Sequence, residues 1–343
     1  MRILWHISSH GWGHGARQRE LIRNTRLEHP EAHITVASDI PCWFWNGSGI
    51  DALIPGSPSP VIIEKNGDID YGATRRHFLD FTGSIRELLK REAAVQAALK
   101  PDLVVTDIDP LPVKAAEINR IPAFGISNFT WDWVMAEIFP NLAEQSALIT
   151  RMYSHGVYLK LPMGHDNSPF HSTVNVPLLR AGPPGNPDKV THLLTEGKTC
   201  LIALRELPHG TSLLMPDGFT AVSSLPEPLY KNCMNIKTEQ LAEEKADFAD
   251  LVAACDVVVS KPGYGIVSQI LAMGKKAVLF TGRKFPDEEF LIAPLRKRSG
   301  TVLLDKCTKV SVGPVVQSLV EQSPPAPEPC KGALAILSIV LKA

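Results

Sequence analysis

An apolar run of strand length, Ile3 to Ile7, leads into a loop that carries Gly11, Gly13 and Gly15, and a segment with helical spacing follows from Ala16 to Leu27. Such a join sets the unpaired amides of a helix N-terminus, and the positive end of its dipole, at the carboxyl end of a strand. In open α/β sheets ligands bind at that place, and glycines allow positive φ and close approach of a ligand to the backbone. His10 and His14 lie in the loop and become candidate functional groups; a histidine that only caps the helix is the alternative for His14. The glycine spacing departs from the G-x-G-x-x-G dinucleotide fingerprint. Asp39, after the apolar Ile34–Ala37, nevertheless leaves a nucleotide-dependent dehydrogenase open.

The same alternation continues along the chain. His33–Ser38 reads as a strand, residues 41–74 are irregular, and a helix is expected from Arg75 to Leu99, ended by Pro101. Asp102–Asp107 is a continuous apolar run of the kind buried on both faces of a parallel sheet. Helices are expected over Leu111–Asn119 and Asn128–Met152. Strands are expected at Pro122–Ser127 and at Val157–Leu161, the latter as the last of this half. The breakers Pro183, Pro184, Gly185, Asn186 and Pro187 mark a boundary. The pattern restarts with strands at Thr199–Leu204, Phe219–Ser223, Met234–Ile236, Asp256–Ser260, Lys276–Phe280 and Thr301–Leu304, and helices at Phe248–Ala254, Gly265–Met273, Asp287–Lys297 and Val310–Val320. The expectation is an α/β chain of two Rossmann-like, doubly wound domains facing across a cleft, residues 1–182 and 183–343.

The length of 343 residues suits two cores better than one. With 44% hydrophobic and 21% charged residues and a formal net charge of −1, the chain gives no reason to expect nucleic acid or an anionic membrane as partner. The six cysteines form no C-x-x-C and suit no zinc module. The N-terminal apolar run is too short for a signal peptide, so a reducing cytoplasm is expected. No apolar run reaches the length of a membrane span; Ala333–Leu341 reads as a packed helix.

A second strand–turn–helix stands out in the later half: Cys255-Asp-Val-Val-Val-Ser-Lys-Pro-Gly-Tyr-Gly-Ile-Val-Ser-Gln269. Its turn again sets amides at a helix N-terminus, where a phosphate or carboxylate can sit; a turn needed only for packing is the alternative. Ser260–Gln269, with Leu271–Gly274 and Val278–Phe280, resembles the donor-binding element of GT-B glycosyltransferases, especially the peptidoglycan-precursor N-acetylglucosaminyl transferase group. The Gly11–His14 loop is similar to the glycine-rich, histidine-ending loop of that group. A broader resemblance is to the non-kinase N-terminal half of plant-type L-arabinokinases. It covers His10–His14 with Arg17, Val104–Asp107, Asn128–Asp132, Gly263–Gly265 and Glu288–Phe290, in the same order along most of the chain.

The resemblance implies a GT-B fold and transfer of a sugar from a nucleotide-diphosphate donor, UDP-linked, to a hydroxyl, with inversion and with neither a metal nor a resident cofactor. It implies His14 as the base that takes the acceptor proton and Asp107 as the aspartate that orients it; a strand-end helix cap is the rival reading of Asp107, and Asp109 or His10 are alternatives for the two roles. His10, Gly11, Gly13, Asn128, Trp131 and Asp132 would line the acceptor side, with Trp131 as core the competing reading. Arg205, Lys261, Gly263, Tyr264, Gly265, Ser268, Gln269, Asp287 and Glu288 would serve the donor. Two departures stand out. Leu201–Thr211 replaces the family's Gly-Gly-Ser-type loop, and Ile266 and Gln269 stand where the family has Thr and Glu. An amide offers one acceptor oxygen where a carboxylate offers two. A nucleotide or sugar binder without turnover, and an epimerase or hydrolase of nucleotide sugars, are the other functions this fold allows.

Overall fold

The computed structural model describes residues 1–8, 12–65, 68–204, 208, 210–223 and 233–342. The chain divides into two compact units. Unit 1 comprises Met1–Leu179, Phe285–Asp287 and Cys330–Ala343; unit 2 comprises Arg180–Lys284 and Glu288–Pro329.

Unit 1 runs β1 (Arg2–Ile7), α1 (Trp12–Glu28), β2 (His33–Ala37), β3 (Ala52–Ile54), the short hairpin β4 (Glu64–Lys65) and β5 (Asp68–Ile69), and α2 (Tyr71–Gly83). It continues with α3 (Ile85–Leu99), β6 (Leu103–Asp107), α4 (Pro110–Asn119), β7 (Ala123–Ser127), α5 (Trp131–Ile138), α6 (Ala143–Met152), β8 (Val157–Lys160) and β9 (Ser172–Asn175). Seven strands form one parallel sheet in the order β3-β2-β1-β6-β7-β8-β9. The order reverses between β1 and β6, and Ile7 lies opposite Asp107. The carboxyl ends of these two strands therefore form the topological switch point of the unit, where a doubly wound sheet opens a crevice for ligands. All five residues of β6 are buried, as its unbroken apolar run requires.

Four local expectations change. The first helix begins at Trp12, so Gly13 and Gly15 are helical, and neither has positive φ. Gly15 serves close packing instead: a Cβ there would lie 2.6 Å from Ile40 Cδ1 and 3.0 Å from Phe44 Cε1. The helix expected over 75–99 begins earlier, at Tyr71, where Asp70 accepts the Ala73 N–H at 2.9 Å, and breaks into α2 and α3 at Gly83-Ser84, two poor helix formers in sequence. The helix expected over 128–152 breaks into α5 and α6 at Pro140, which lacks the N–H that an interior position needs. Val157–Leu161 is not the last strand of its half, because the fully exposed β9 pairs with β8 beyond it.

Unit 2 contains β10 (Lys198–Ala203), β11 (Phe219–Ser223), β12 (Cys233–Asn235), α7 (Thr238–Glu243), α8 (Phe248–Ala254), β13 (Val257–Ser260), α9 (Tyr264–Met273), β14 (Lys276–Thr281), α10 (Glu288–Ile292), β15 (Thr301–Asp305) and α11 (Val312–Val320). Its sheet of six parallel strands has the order β12-β11-β10-β13-β14-β15, again doubly wound, with the reversal between β10 and β13. Cys200, Ile202, Val257, Val259, Val278 and Phe280 of the sheet pack on Val312, Val316 and Leu319 of α11. The helix expected over 287–297 is shorter, since Pro294 turns its continuation into a 3-10 turn over Ala293–Leu295. The last helix, α12 (Gly332–Val340), belongs to unit 1 and contacts α1. Among the described residues, no helix is long and apolar enough to cross a membrane.

Candidate active site

At the switch point of unit 1, Asp107 ends β6 with no exposure to solvent, and α1 turns His14, Arg17 and Gln18 toward it from one face. Four donors meet its two oxygens. His14 Nδ1 and Arg17 Nη2 each stand 2.6 Å from Oδ1, and Arg17 Nε and Gln18 Nε2 each stand 2.7 Å from Oδ2. The arginine thus grips the carboxylate in a bidentate fork. Burial alone would raise the Asp107 pKa. The charge of Arg17, and then that of His14, outweighs it, and the carboxyl is held well below the usual carboxylate range.

This geometry decides the histidine tautomer. A carboxylate only accepts, so a neutral His14 places its proton on Nδ1 toward Asp107, and its lone pair is on Nε2. Arg17 Nη2 is 3.0 Å from the same Nδ1 but gives its hydrogen to the shared carboxylate oxygen. Phe129 stands edge-on to the imidazole, with ring centroids 5.9 Å apart. The side chain of His14 keeps 11% exposure, a narrow access in an otherwise closed cluster.

The cluster reaches further through Arg17, which donates to Asn128 Oδ1 at 3.1 Å and Ser127 Oγ at 3.0 Å at the end of β7. Asn128 in turn donates to Asp287 Oδ2 at 3.1 Å. On the other side, Trp5 Nε1 donates to Gln18 Oε1 at 2.8 Å, which fixes the amide so that its NH2 faces Asp107. Arg17 and Gln18 are the residues the sequence reading did not assign. With the helix expected to start at Ala16, His14 lay outside it, and the three-residue spacing from His14 to Arg17 carried no meaning; a helix from Trp12 makes it one face.

The remaining predicted residues fall in several places. Asn128 is buried within the cluster, and Gly13 is half-buried in the first turn of α1. Trp131 is not on an acceptor surface: it is fully buried, 5.1 Å from the Phe129 ring, and is core. Asp132 accepts from Thr150 Oγ1 at 2.9 Å and so ties α5 to α6. Asp109 is not a partner of His14. It is buried near Ser59, His6 and Glu92, and burial raises its pKa to about 7. His10, Gly11 and Arg205 lie outside the described residues.

In unit 2 the candidate donor element follows β13 at the second switch point. Gly263 caps α9 in an extended conformation, φ −144° and ψ 148°, and no side chain caps the helix. Neither Gly263 nor Gly265 has positive φ. A Cβ on Gly263 would meet nothing within 4 Å among the described residues. Lys261 is half-buried just before the turn, and Tyr264 is buried. Ser268 Oγ accepts the Ala181 N–H at 3.1 Å and donates to Gly265 O at 2.8 Å, while Gln269 Nε2 donates to Ala181 O. Both side chains therefore hold the 181–182 stretch of chain against α9. Glu288 accepts the N–H groups of Gly282 at 2.5 Å and Arg283 at 3.1 Å, whereas its neighbour Asp287 belongs to the cluster of unit 1.

No protein-family model matches the chain. It is 25% identical over 314 residues to an L-arabinokinase of Arabidopsis thaliana, a stretch that covers 84% of this chain and 29% of that protein. The chain thus spans under a third of the length of that relative. Among solved structures it is similar to the glycosyltransferase VinC in complex with DTDP, with a TM-score of 0.58 and 15% identity over 100% of this chain and 96% of the other. The spinosyn rhamnosyltransferase SpnG complexed with thymidine diphosphate gives a TM-score of 0.60 and 13% identity over the same shares. The chain has the GT-B glycosyltransferase fold.

Proposed function

We propose that the protein is a glycosyltransferase that moves a sugar from a nucleoside-diphosphate donor to a hydroxyl acceptor. The observation that carries this reading is the contact of His14 Nδ1 with the buried Asp107 carboxylate at 2.6 Å, at the switch point of a GT-B fold. His14 Nε2 takes the proton of the acceptor hydroxyl as its oxygen attacks the anomeric carbon. The bond to the diphosphate breaks on the opposite side, so the anomeric configuration inverts, and the diphosphate leaves with the electron pair. Asp107 keeps the imidazole in the tautomer this needs. Because Arg17 already neutralises the carboxylate, Asp107 acts mainly by orienting the ring.

Unit 1 would hold the acceptor and unit 2 the donor, UDP-linked by the family resemblance, with a thymidine diphosphate donor the close alternative. The amides at the N-terminus of α9, which no side chain caps, suit the charge that develops on the leaving diphosphate, without a metal. A nucleotide binder without turnover is the second reading. It is favoured by Ser268 and Gln269, whose contacts with Ala181 leave donor recognition to the backbone.

Calorimetric titration with UDP and with thymidine diphosphate tests both readings. Gly263→Val suits as the control, because its backbone angles are those valine prefers and a Cβ there meets no atom of the described residues within 4 Å. We expect the wild type to bind one of the nucleotides and the variant to bind at least tenfold more weakly, about 1.4 kcal/mol. Absence of binding to either nucleotide at millimolar concentration contradicts the proposal.

A further inference from the structure

The loop that leaves β8 reaches the end of β7, where Ser127 and the following Asn128 accept from Arg17. Leu161 N–H donates to Ser127 O at 2.9 Å. A Cβ on Gly164 would lie 1.7 Å from Asn128 O, so the loop meets that carbonyl as closely as only glycine permits. Between these two contacts Met163 takes φ +62°, in the left-handed region that residues other than glycine rarely adopt. Such a conformation persists only where its surroundings enforce it.

His165 supplies the enforcement. It is 7% exposed, and its ring stacks on that of Trp133, with 4.2 Å between centroids and 18° between planes. The stack fastens the loop to α5. For an imidazole the fastening is incomplete. Nε2 is shielded from solvent and completes no hydrogen bond among the described residues. Oδ1 of Asp132, the residue before Trp133, is likewise buried and unmatched among them, while its Oδ2 accepts from Thr150 Oγ1 at 2.9 Å. A phenyl ring could make the same stack without burying a polar atom. What the histidine brings instead is a group that titrates.

Charged groups act on this ring from α5, from β8 and from the loop itself. Asp132 and Asp166 favour its protonation, and Lys160, which is paired with Asp166, opposes it. Burial is the largest influence and holds the pKa below the ordinary 6.5. The closed loop therefore keeps a neutral imidazole, and an opened loop, where water reaches the ring, takes up a proton more readily. We infer that the 161–166 loop is an acid-released clasp: His165 stacked on Trp133 holds it closed at neutral pH, and protonation of His165 frees it from α5 and from the backbone of Ser127 and Asn128. The hold is complete above pH 6.5 and is lost as pH falls below it. The ordinary value also sets the ceiling, since a fully released histidine favours the open loop at pH 5 by at most about thirtyfold. The clasp is a property of the loop alone and stands apart from the transfer reaction.

Two measurements on the whole chain test it without any substrate. NMR titration of the histidine rings, with the His165 signal assigned by its absence in either variant below, should give His165 a pKa under 6.5. Hydrogen exchange read by mass spectrometry, corrected for intrinsic rates, follows the opening of residues 161–168. Between pH 7.5 and pH 5 the wild type should lose three- to thirtyfold of its protection there. His165→Phe keeps the stack and cannot ionise, so its protection should not change with pH. His165→Gln can neither stack nor ionise, so it should exchange faster than the wild type already at pH 7.5. Circular dichroism melts of both variants confirm that they are folded. Four results overturn the inference: His165 titrates at or above 6.5, the wild-type segment is equally protected at both pH values, folded His165→Phe opens in acid as the wild type does, or folded His165→Gln is as protected as the wild type at pH 7.5. Nucleotide binding and sugar transfer are measured separately, so failure here leaves the transfer reading intact and the reverse holds too.

Discussion

Replacing Asp109 with asparagine should change the pH dependence of unit 1 in a direction that can be worked out in advance. Asp109 is 2% exposed at the start of α4. Its backbone N–H donates to Thr106 Oγ1 at 3.0 Å, and its Oδ1 has no hydrogen-bond partner. Burial raises its pKa from 3.8 to about 7; Ser59 and His6 pull it down, while the nearby charges of Asp107 and Glu92 push it up. Between those two values the folded state holds a proton that the unfolded chain has released. Stability therefore falls as pH rises from about 4 to about 7 and is level beyond that window. At 1.36 kcal/mol per pKa unit the loss is about 4 kcal/mol, an order-of-magnitude figure. Glu92 acts in the opposite sense. Its burial is outweighed by the charge of His6, so that its pKa falls from 4.5 to about 2, and the stability it adds disappears as pH drops through that lower window. A carboxamide has nothing to ionise, so Asp109→Asn should match the wild type near pH 4 and exceed it at pH 8. Urea unfolding followed by tryptophan fluorescence reads this out for unit 1 alone, because all six tryptophans lie at or before Trp133. Parallel pH profiles for the two proteins would refute the reasoning.

Two further substitutions probe the scaffold of the site. Arg17→Met leaves the Asp107 carboxylate buried without its fork; unit 1 should lose about 3–5 kcal/mol at pH 7 by the same fluorescence assay, and an unchanged midpoint contradicts the assigned network. Gln269→Glu removes the donor to Ala181 O and sets oxygen against oxygen in a buried place. Unit 2 should lose about 1–3 kcal/mol, read as lower hydrogen-exchange protection along α9, and wild-type protection would show that the contact contributes nothing.

The strands were legible because buried parallel strands leave continuous apolar runs. Leu103–Asp107 and Val257–Ser260 needed no other signal, and both turns that follow them carry candidate chemistry. What stayed hidden was hidden for local reasons. β9 is exposed and polar, so its sequence, Ser-Thr-Val-Asn, has no apolar alternation to read. The breaks between α2 and α3 and between α5 and α6 each fall inside a stretch whose apolar periodicity continues across them, and periodicity outweighed a Gly-Ser pair and Pro140. The start of α1 was misjudged because three glycines read as a loop. Gly15 is small so that Ile40 and Phe44 can approach, a demand made by tertiary packing and invisible locally. That one error hid Gln18 and the face that His14 shares with Arg17, whereas the roles proposed for His14 and Asp107 came from the family resemblance. Trp131, at an expected helix start, read as core as well as ligand contact, and burial is what the structure shows.

The account rests on His14 as the base of a sugar transfer. The most direct measurement incubates the wild type and His14→Ala with UDP- and thymidine-diphosphate-linked sugars and a panel of hydroxyl acceptors. Products are followed by mass spectrometry and their anomeric configuration by NMR. The wild type should form a glycoside of inverted configuration, and His14→Ala should form none while it binds the nucleoside diphosphate as the wild type does. A His14→Ala protein that transfers sugar at the wild-type rate, or a wild-type product of retained configuration, contradicts the account.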